Sequence, residues 1–314
     1  MKIAVVGAGA VGTYYGARLA EAGHEVGFVI RSEFDLVSKD GITVLSKDGD
    51  IRLKDPLIAP NVEKLAAQFE PDWVLCGLKA TALDISQELI SPLMGSKTRM
   101  LAIINGLGIE EDFASWMTPD LVFGGLAFTC INRDNASLVN HLDYGPLTVA
   151  HFGDDPKRLE EAQSLWNGAK VDVSLADSRI AARYQKLCWN IPFNGLCVLE
   201  GGVTTDVIMR NPKLRAKAES LMNEVIAIAN ADLSTVSASP AIALDHTLVE
   251  QMMIMTAAMV DYRPSTMIDF VEGKEMEIEA IFSRPLERGH ELGVRCDELE
   301  SLTRQLIELD SRKS

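Results

Sequence analysis

Two short apolar, β-branched runs, Lys2–Val6 and Glu25–Ile30, flank a helical pattern that passes through Leu19 to Ala22. Gly23 stands where that helix should stop, and the turn before it reads Gly7-Ala8-Gly9-Ala10-Val11-Gly12. The patterns predict a β–turn–α–β unit at the start of the chain. Asp72–Leu78 and Met100–Ile104 read as further buried strands. Residues 121–153 predict strands joined by turns, an antiparallel extension of the same sheet. One helix is expected over Asp155–Gly168 and a short strand over Lys170–Val173. From Ser178 the period is helical, with segments expected at 178–199, 212–232, 239–259, 263–292 and 296–310, then a charged tail, DSRKS, that frays. The expected class is therefore α/β. An N-terminal Rossmann domain with a doubly wound parallel sheet occupies residues 1–177, and a smaller all-α domain occupies residues 178–314.

The glycine-rich turn carries the first chemical signal. A GxGxxG string alone is weak, but here it follows a strand, opens a helix and leads into a second strand. In that context the glycines serve a tight turn, close backbone approach to a pyrophosphate and helix–strand packing, while the helix N-terminus offers free N–H groups. Residues Gly7, Ala8, Gly9, Ala10, Val11 and Gly12 are thus candidates to bind a dinucleotide. After the second strand an acid would bind the ribose hydroxyls of NAD, whereas an Arg accommodates the phosphate of NADP. The chain has Arg31 there, followed by Ser32, so NADP is the expected cofactor; a solvated loop arginine is the competing reading. Ligands of open parallel sheets lie beyond the carboxyl ends of the strands. Lys79 and Asn105 follow two such ends and are expected at the cofactor, although a solvated lysine and a turn-forming asparagine are the ordinary alternatives.

Composition narrows the field. A net charge of −15 leaves no basic stripe for nucleic acid, and no apolar run is long enough to span a membrane. The five cysteines lack CxxC spacing, which disfavours a disulfide framework or a zinc site and points to a cytoplasmic protein with no bound metal. The opening residues lack the features of a signal peptide.

A second signal lies in RYQKLCWNIPFNGLC, where Lys186, Asn190 and Asn194 stand four residues apart within an apolar run. On a helix they form one stripe, drifting by about 40° per step. A ketone that accepts hydride develops negative charge on oxygen and needs a proton; a lysine ammonium supplies both, and nearby amides hydrogen-bond the same substrate. The bland alternative has Lys186 snorkelling to water while the asparagines bond to backbone. Pro192 removes one backbone hydrogen bond between the asparagines.

The chain resembles the ketopantoate reductase (2-dehydropantoate 2-reductase) family in several blocks set in order. These are KIAVVGAGAVG, Arg31, Leu78-Lys79, NGLG at 105–108, the K-x-x-x-N-x-x-x-N of 186–194, and PSTMIDFVEGKEMEIEAI at 264–281. The resemblance implies a Rossmann domain followed by a helical domain, with the active site between them. It implies NADPH-dependent reduction of 2-dehydropantoate to pantoate, on the route to pantothenate and coenzyme A, with Lys186 as catalytic proton donor. It also implies substrate binding by Lys186, Asn190, Asn194 and Ser265, cofactor contacts from Asn105 and Glu277, and a monomer or homodimer. Without it, Ser265 reads as a helix N-cap and Glu277 as one charge on an acidic helix face. The chain departs from the family pattern at Tyr262, at Pro192 and in Ser265-Thr266-Met267-Ile268-Asp269, changes that concern substrate contacts. The remaining readings are an NADP-dependent reductase of another small branched 2-oxo acid, a non-catalytic NADP(H) sensor, which has no use for Lys186, and a 6-phosphogluconate or hydroxyisobutyrate type of dehydrogenase, which also pairs a lysine with an asparagine but lacks the Ser265 and Glu277 block.

Overall fold

In the computed structural model residues 1–236 and 242–312 are described. Two compact units emerge: Met1–Ile104 with Ile109–Arg179, and Asn105–Gly108 with Ile180–Ser314.

The first unit is built on one ten-stranded sheet. In chain order the strands are β1 (Lys2–Val6), β2 (Glu25–Val29), β3 (Ile42–Ser46), β4 (Ile51–Leu53), β5 (Leu57–Ala59), β6 (Trp73–Cys76), β7 (Arg99–Ala102), β8 (Val122–Asn135), β9 (Leu138–His151) and β10 (Val173–Leu175). Their spatial order is β4-β3-β9-β8-β7-β6-β1-β2-β5, with β10 beside β9. From β5 to β8 all pairs are parallel. On one side of β1 lie β2 and β5, separated in the chain by β3 and β4 at the far edge; on the other side lie β6, β7 and β8. That change of side between β1 and β6 is a topological switch point, where α/β folds place ligands. The expected antiparallel extension is the long β8–β9 hairpin. The antiparallel β8–β9 and β3–β4 pairs make the sheet mixed, and the parallel pairing of β9 with β3 and β10 is a feature the periodicity did not suggest. The last short strand lies at Val173–Leu175 rather than Lys170–Val173, and pairs with Leu147–Val149.

The helix Ala10–Glu21 lies on the sheet because it is buried from Gly12 to Leu19. Tyr15, Leu19, Ile3, Val5 and Phe28 are almost completely buried in one apolar cluster. Each such side chain contributes about 1.5–3 kcal/mol relative to exposure. Gly16 brings helix and strands together: a Cβ there would meet Phe28 at 2.7 Å and Val5 at 2.8 Å.

Among its described residues the second unit is helical. Helix Arg179–Leu199 runs through Pro192 without a break and is buried at every residue from Leu187 to Val198. A helix buried all round is a core helix, and Pro212–Thr235 and Asp297–Ser311 help to enclose it. At Gly195 a Cβ would approach Leu302 to 2.7 Å, so glycine permits that crossing. The long helix expected over 263–292 is instead three pieces. Helix Ser265–Val271 ends before Gly273, whose φ of +67° cannot continue a helix. A π-helical turn, Glu279–Ser283, then leads into Arg284–Glu291. Thr205–Arg210 adds a short helix the pattern did not show. Thr247–Ala258 is helical, whereas the start expected at 239–241 lies outside the described residues, as do residues 313–314 of the tail.

Candidate active site

The first unit carries a cleft of about 450 Å³ at the switch point. Gly7, Ala8 and Gly9, then Arg31 and Ser32, then Leu78 and Lys79 line it, together with Arg133 from β8. Ala10, Val11 and Gly12 form the first turn of the following helix. The three glycines are needed for different reasons. Gly7 has φ +85°, and a Cβ would lie 2.4 Å from the Leu78 nitrogen. A Cβ on Gly12 would lie 2.3 Å from the Gly7 carbonyl oxygen. Gly9 has an unremarkable φ of −75°, and a Cβ there meets nothing within 4 Å. Protein packing therefore accounts for Gly7 and Gly12 but not for Gly9. What Gly9 leaves open is backbone access at a helix N-terminus, the place where a pyrophosphate sits. The residues present thus fit a dinucleotide. Arg31 is exposed on the cleft wall, and Lys79 follows β6 as the residue preceding a short 3₁₀ turn, Ala80–Ala82.

In the second unit the stripe of polar residues lies on the central helix. Asn190 is 6% and Asn194 1% exposed, which an amide tolerates only with partners. Asn194 Oδ1 accepts from the Thr266 backbone N–H at 2.9 Å. It thereby caps helix Ser265–Val271 from another helix and fixes the exposed Ser265 beside it. Ser265 is the first residue of that helix and supplies no side-chain cap, so the simple N-cap alternative does not hold. Tyr262 meets Trp189 edge-on with ring centroids 5.5 Å apart, so it is packed onto the same helix.

Lys186 is half-buried by surface area but closely surrounded by protein atoms. Burial and the Arg183 guanidinium pull its pKa down to about 7, while the Glu277 carboxylate acts in the opposite direction. Glu277 is 5% exposed and immediately precedes the helical turn that becomes the π-helix. The loop Asn105–Gly108 belongs to the same unit. Gly106, at φ +111°, lies so close to Ala280 that a Cβ would stand 2.5 Å from it. The Leu107 N–H donates to the Ala280 oxygen at 2.9 Å. Arg183 donates to the Gly106 oxygen at 3.3 Å, and Arg284 to the Leu107 oxygen at 3.2 Å. Arg183 thus holds the loop that carries Asn105 and also biases Lys186.

Of the residues singled out for the cofactor, Gly7, Ala8, Gly9, Arg31 and Lys79 share one cleft. Asn105 and Glu277 belong to the second unit with Lys186, Asn190, Asn194 and Ser265. Sequence reasoning passed over Arg183 and Arg133. Arg183 carried a usable signal, because it lies three residues before Lys186 on one helix and so shares its face. Arg133 had none, since its place follows from the pairing of β8. Among the described residues no three side chains of metal-binding type cluster, the cysteines are unpaired, and no helix is long and apolar enough to cross a membrane.

Comparison with known proteins gives concordant results. The ketopantoate reductase PanE/ApbA family model matches residues 3–154, and its C-terminal counterpart matches residues 179–310. A 2-dehydropantoate 2-reductase from Nostoc sp. is 33% identical over 99% of this chain and 96% of its own length. The crystal structure of 2-dehydropantoate 2-reductase from Geobacter metallireducens GS-15 superposes with a TM-score of 0.92 at 36% identity, covering 100% of both chains. D-mandelate dehydrogenase, in a ternary structure with NADH and anilino(oxo)acetate, shares the fold at 20% identity and a TM-score of 0.84, covering 100% of this chain and 99% of its own. A glycine turn in which packing leaves Gly9 unexplained, a lysine displaced toward neutrality on a buried helix, and matches along nearly the whole length agree: the chain belongs to the ketopantoate reductase family of oxidoreductases.

Proposed function

We propose that the protein reduces 2-dehydropantoate to pantoate with NADPH. The observation that carries this reading is Lys186, whose ammonium titrates at about 7 on a helix that also bears Asn190 and Asn194. A group titrating there can release a proton at neutral pH, unlike an ordinary lysine. The cofactor supplies a hydride to the carbonyl carbon. Lys186 stabilises the charge developing on the carbonyl oxygen and gives that oxygen its proton, which yields the alcohol. Glu277 keeps part of the lysine population charged and contacts the cofactor ribose. Asn190, Ser265 and the amide nitrogen of Asn194 hold the substrate's hydroxyl and carboxylate groups, because the Asn194 oxygen is already occupied by Thr266. The first unit binds the cofactor through Gly7–Gly12, Arg31 and Lys79, and Asn105 of the second unit contacts it as well. The fold itself does not choose between cofactors, since D-mandelate dehydrogenase was crystallised with NADH; the choice of NADP rests on Arg31 in place of an acid. Unpaired cysteines suit a reducing compartment, and we place the reaction in the cytoplasm.

One observation favours a second substrate. Tyr262, packed edge-on against Trp189, stands where the family usually has a small amide, and it suits a more apolar 2-oxo acid. NADPH oxidation measured with 2-dehydropantoate beside a panel of branched 2-oxo acids separates the two. The expected result is highest kcat/KM with 2-dehydropantoate. Preference for an acid lacking its hydroxyl overturns the substrate, and turnover that survives Lys186→Met overturns the mechanism.

A further inference from the structure

Arg133 lines the dinucleotide cleft together with Arg31, yet it comes from the β8–β9 hairpin rather than from the Rossmann crossover. Its Nη2 donates to Glu33 Oε2 at 3.3 Å, and the same carboxylate oxygen accepts from the Ala136 N–H at 3.0 Å. Glu33 lies just after β2 in a left-handed conformation, φ +58°, which carries its side chain to the hairpin. A carboxylate just after the second strand is the feature that serves the ribose hydroxyls in NAD-type sites. Here that carboxylate is drawn to the hairpin by two donors. Meanwhile Arg133 Nε is buried and, among the described residues, has no hydrogen-bond partner. The Arg133 side chain is nonetheless 27% exposed, lines the same cleft as Arg31, and is tied to Glu33 by a hydrogen bond of 3.3 Å. A phosphate monoester, with about two negative charges and three acceptor oxygens, can bond to that exposed part of the guanidinium; a ribose hydroxyl is a far poorer match.

We propose that Arg133 is a second cofactor-specificity residue, which binds the 2′-phosphate beside Arg31 and withholds Glu33 from the ribose. The inference rests on the NADPH reading above. Its test is equilibrium binding of 2′-phospho-ADP-ribose and of ADP-ribose to the whole protein and to Arg133→Gln, Glu33→Gln and Arg31→Gln. Arg133→Gln should weaken the 2′-phosphorylated ligand roughly tenfold or more, as loss of a charge-assisted hydrogen bond implies, and leave ADP-ribose within about twofold. A purely structural role would weaken both ligands alike, so the ratio is the readout. Glu33→Gln keeps an acceptor for Ala136 and releases Arg133, and should tighten only the 2′-phosphorylated ligand. If the unaltered protein prefers the phosphorylated ligand and Arg31→Gln removes that preference while Arg133→Gln leaves it intact, Arg133 has no such role and the NADPH reading stands. If the unaltered protein binds both ligands equally, the NADPH reading fails and this inference fails with it.

Discussion

Replacing Glu277 with Gln removes a charge that favours the ammonium of Lys186 while keeping the shape of the side chain. The lysine already titrates at about 7 because burial and Arg183 oppose its charge. At pH 8 a group with that value is charged in roughly one-tenth of molecules, and at pH 6 in roughly nine-tenths. An opposite charge at close range raises a lysine pKa by about one unit or more. Without it the titration falls to about 6, so the charged fraction becomes about one-hundredth at pH 8 and one-half at pH 6. A proton donor acts in its charged form, so activity is lost as pH rises through this value, and Glu277→Gln moves the loss to lower pH.

The assay is kcat/KM for the 2-oxo acid at saturating NADPH across neutral pH. The variant should be slower by roughly tenfold at pH 8 but only about twofold at pH 6. Arg183→Gln removes the opposing charge, keeps an N–H for the Gly106 oxygen, and should shift the alkaline limb upward. Parallel profiles for Glu277→Gln and the unaltered protein would refute the electrostatic role and leave Glu277 as a ribose contact only. A shift of the limb to higher pH would refute the proton-donor assignment itself.

Other outcomes follow from single contacts. Lys186→Met should abolish turnover while NADPH binding persists in fluorescence titration. It should also raise Tm, because a lysine whose pKa falls from 10.5 to about 7 on folding costs stability in full below pH 7 and not at all above 10.5. After discounting for the partial opening to solvent, the gain is about 1 kcal/mol, and it fades as pH rises. Gly9→Ala should leave Tm unchanged and weaken NADPH, whereas Gly12→Ala, whose Cβ would lie 2.3 Å from the Gly7 oxygen, should lower Tm markedly. Asn194→Ala should cost about 1–3 kcal/mol by thermal unfolding, since it leaves the buried Thr266 N–H without its acceptor, and should raise the KM for the 2-oxo acid.

Much of this was legible because local and global signals agreed. The run from Lys2 through Gly12 to Ile30 contains strand, turn and helix in one pattern, and the structure places β1, the loop and β2 accordingly. The helix 178–199 was legible in spite of Pro192, because apolar residues surround it on every side. Failures occurred where tertiary pairing decides. Nothing local announces that β9 will take β3 as a parallel partner, or that Arg133 will reach the cleft from that hairpin. Over 263–292 the apolar period was right, but Gly273 at positive φ and the π-turn after Glu277 broke the helix. That π-turn is where Ala280 receives the Gly106 loop, so the irregularity belongs to the candidate site rather than to a weak helix.

The electrostatics of the second unit run against stability. Arg183 is 1% exposed and stands three residues before Lys186, so two cations share one face of a buried helix. Like charges at that spacing repel, and in a desolvated setting the repulsion is larger than on a surface helix. Hydrophobic residues of similar size would generally hold the same core at least as well. Arg183 anchors the Gly106 carbonyl, which a neutral donor could also do, and its charge acts on its neighbours as well. One consequence is at Lys186, where the Arg183 charge adds to burial, the larger cause, in bringing proton release down to about 7. An anionic 2-oxo acid near this pair reverses the balance, since its carboxylate favours both cations and draws a proton onto the lysine as it binds. The donor would then be charged most completely when substrate is present. Substrate binding should accordingly take up protons above pH 7, a quantity that calorimetry in buffers of different ionisation enthalpy measures directly, and binding with no proton uptake would show that the lysine is not engaged.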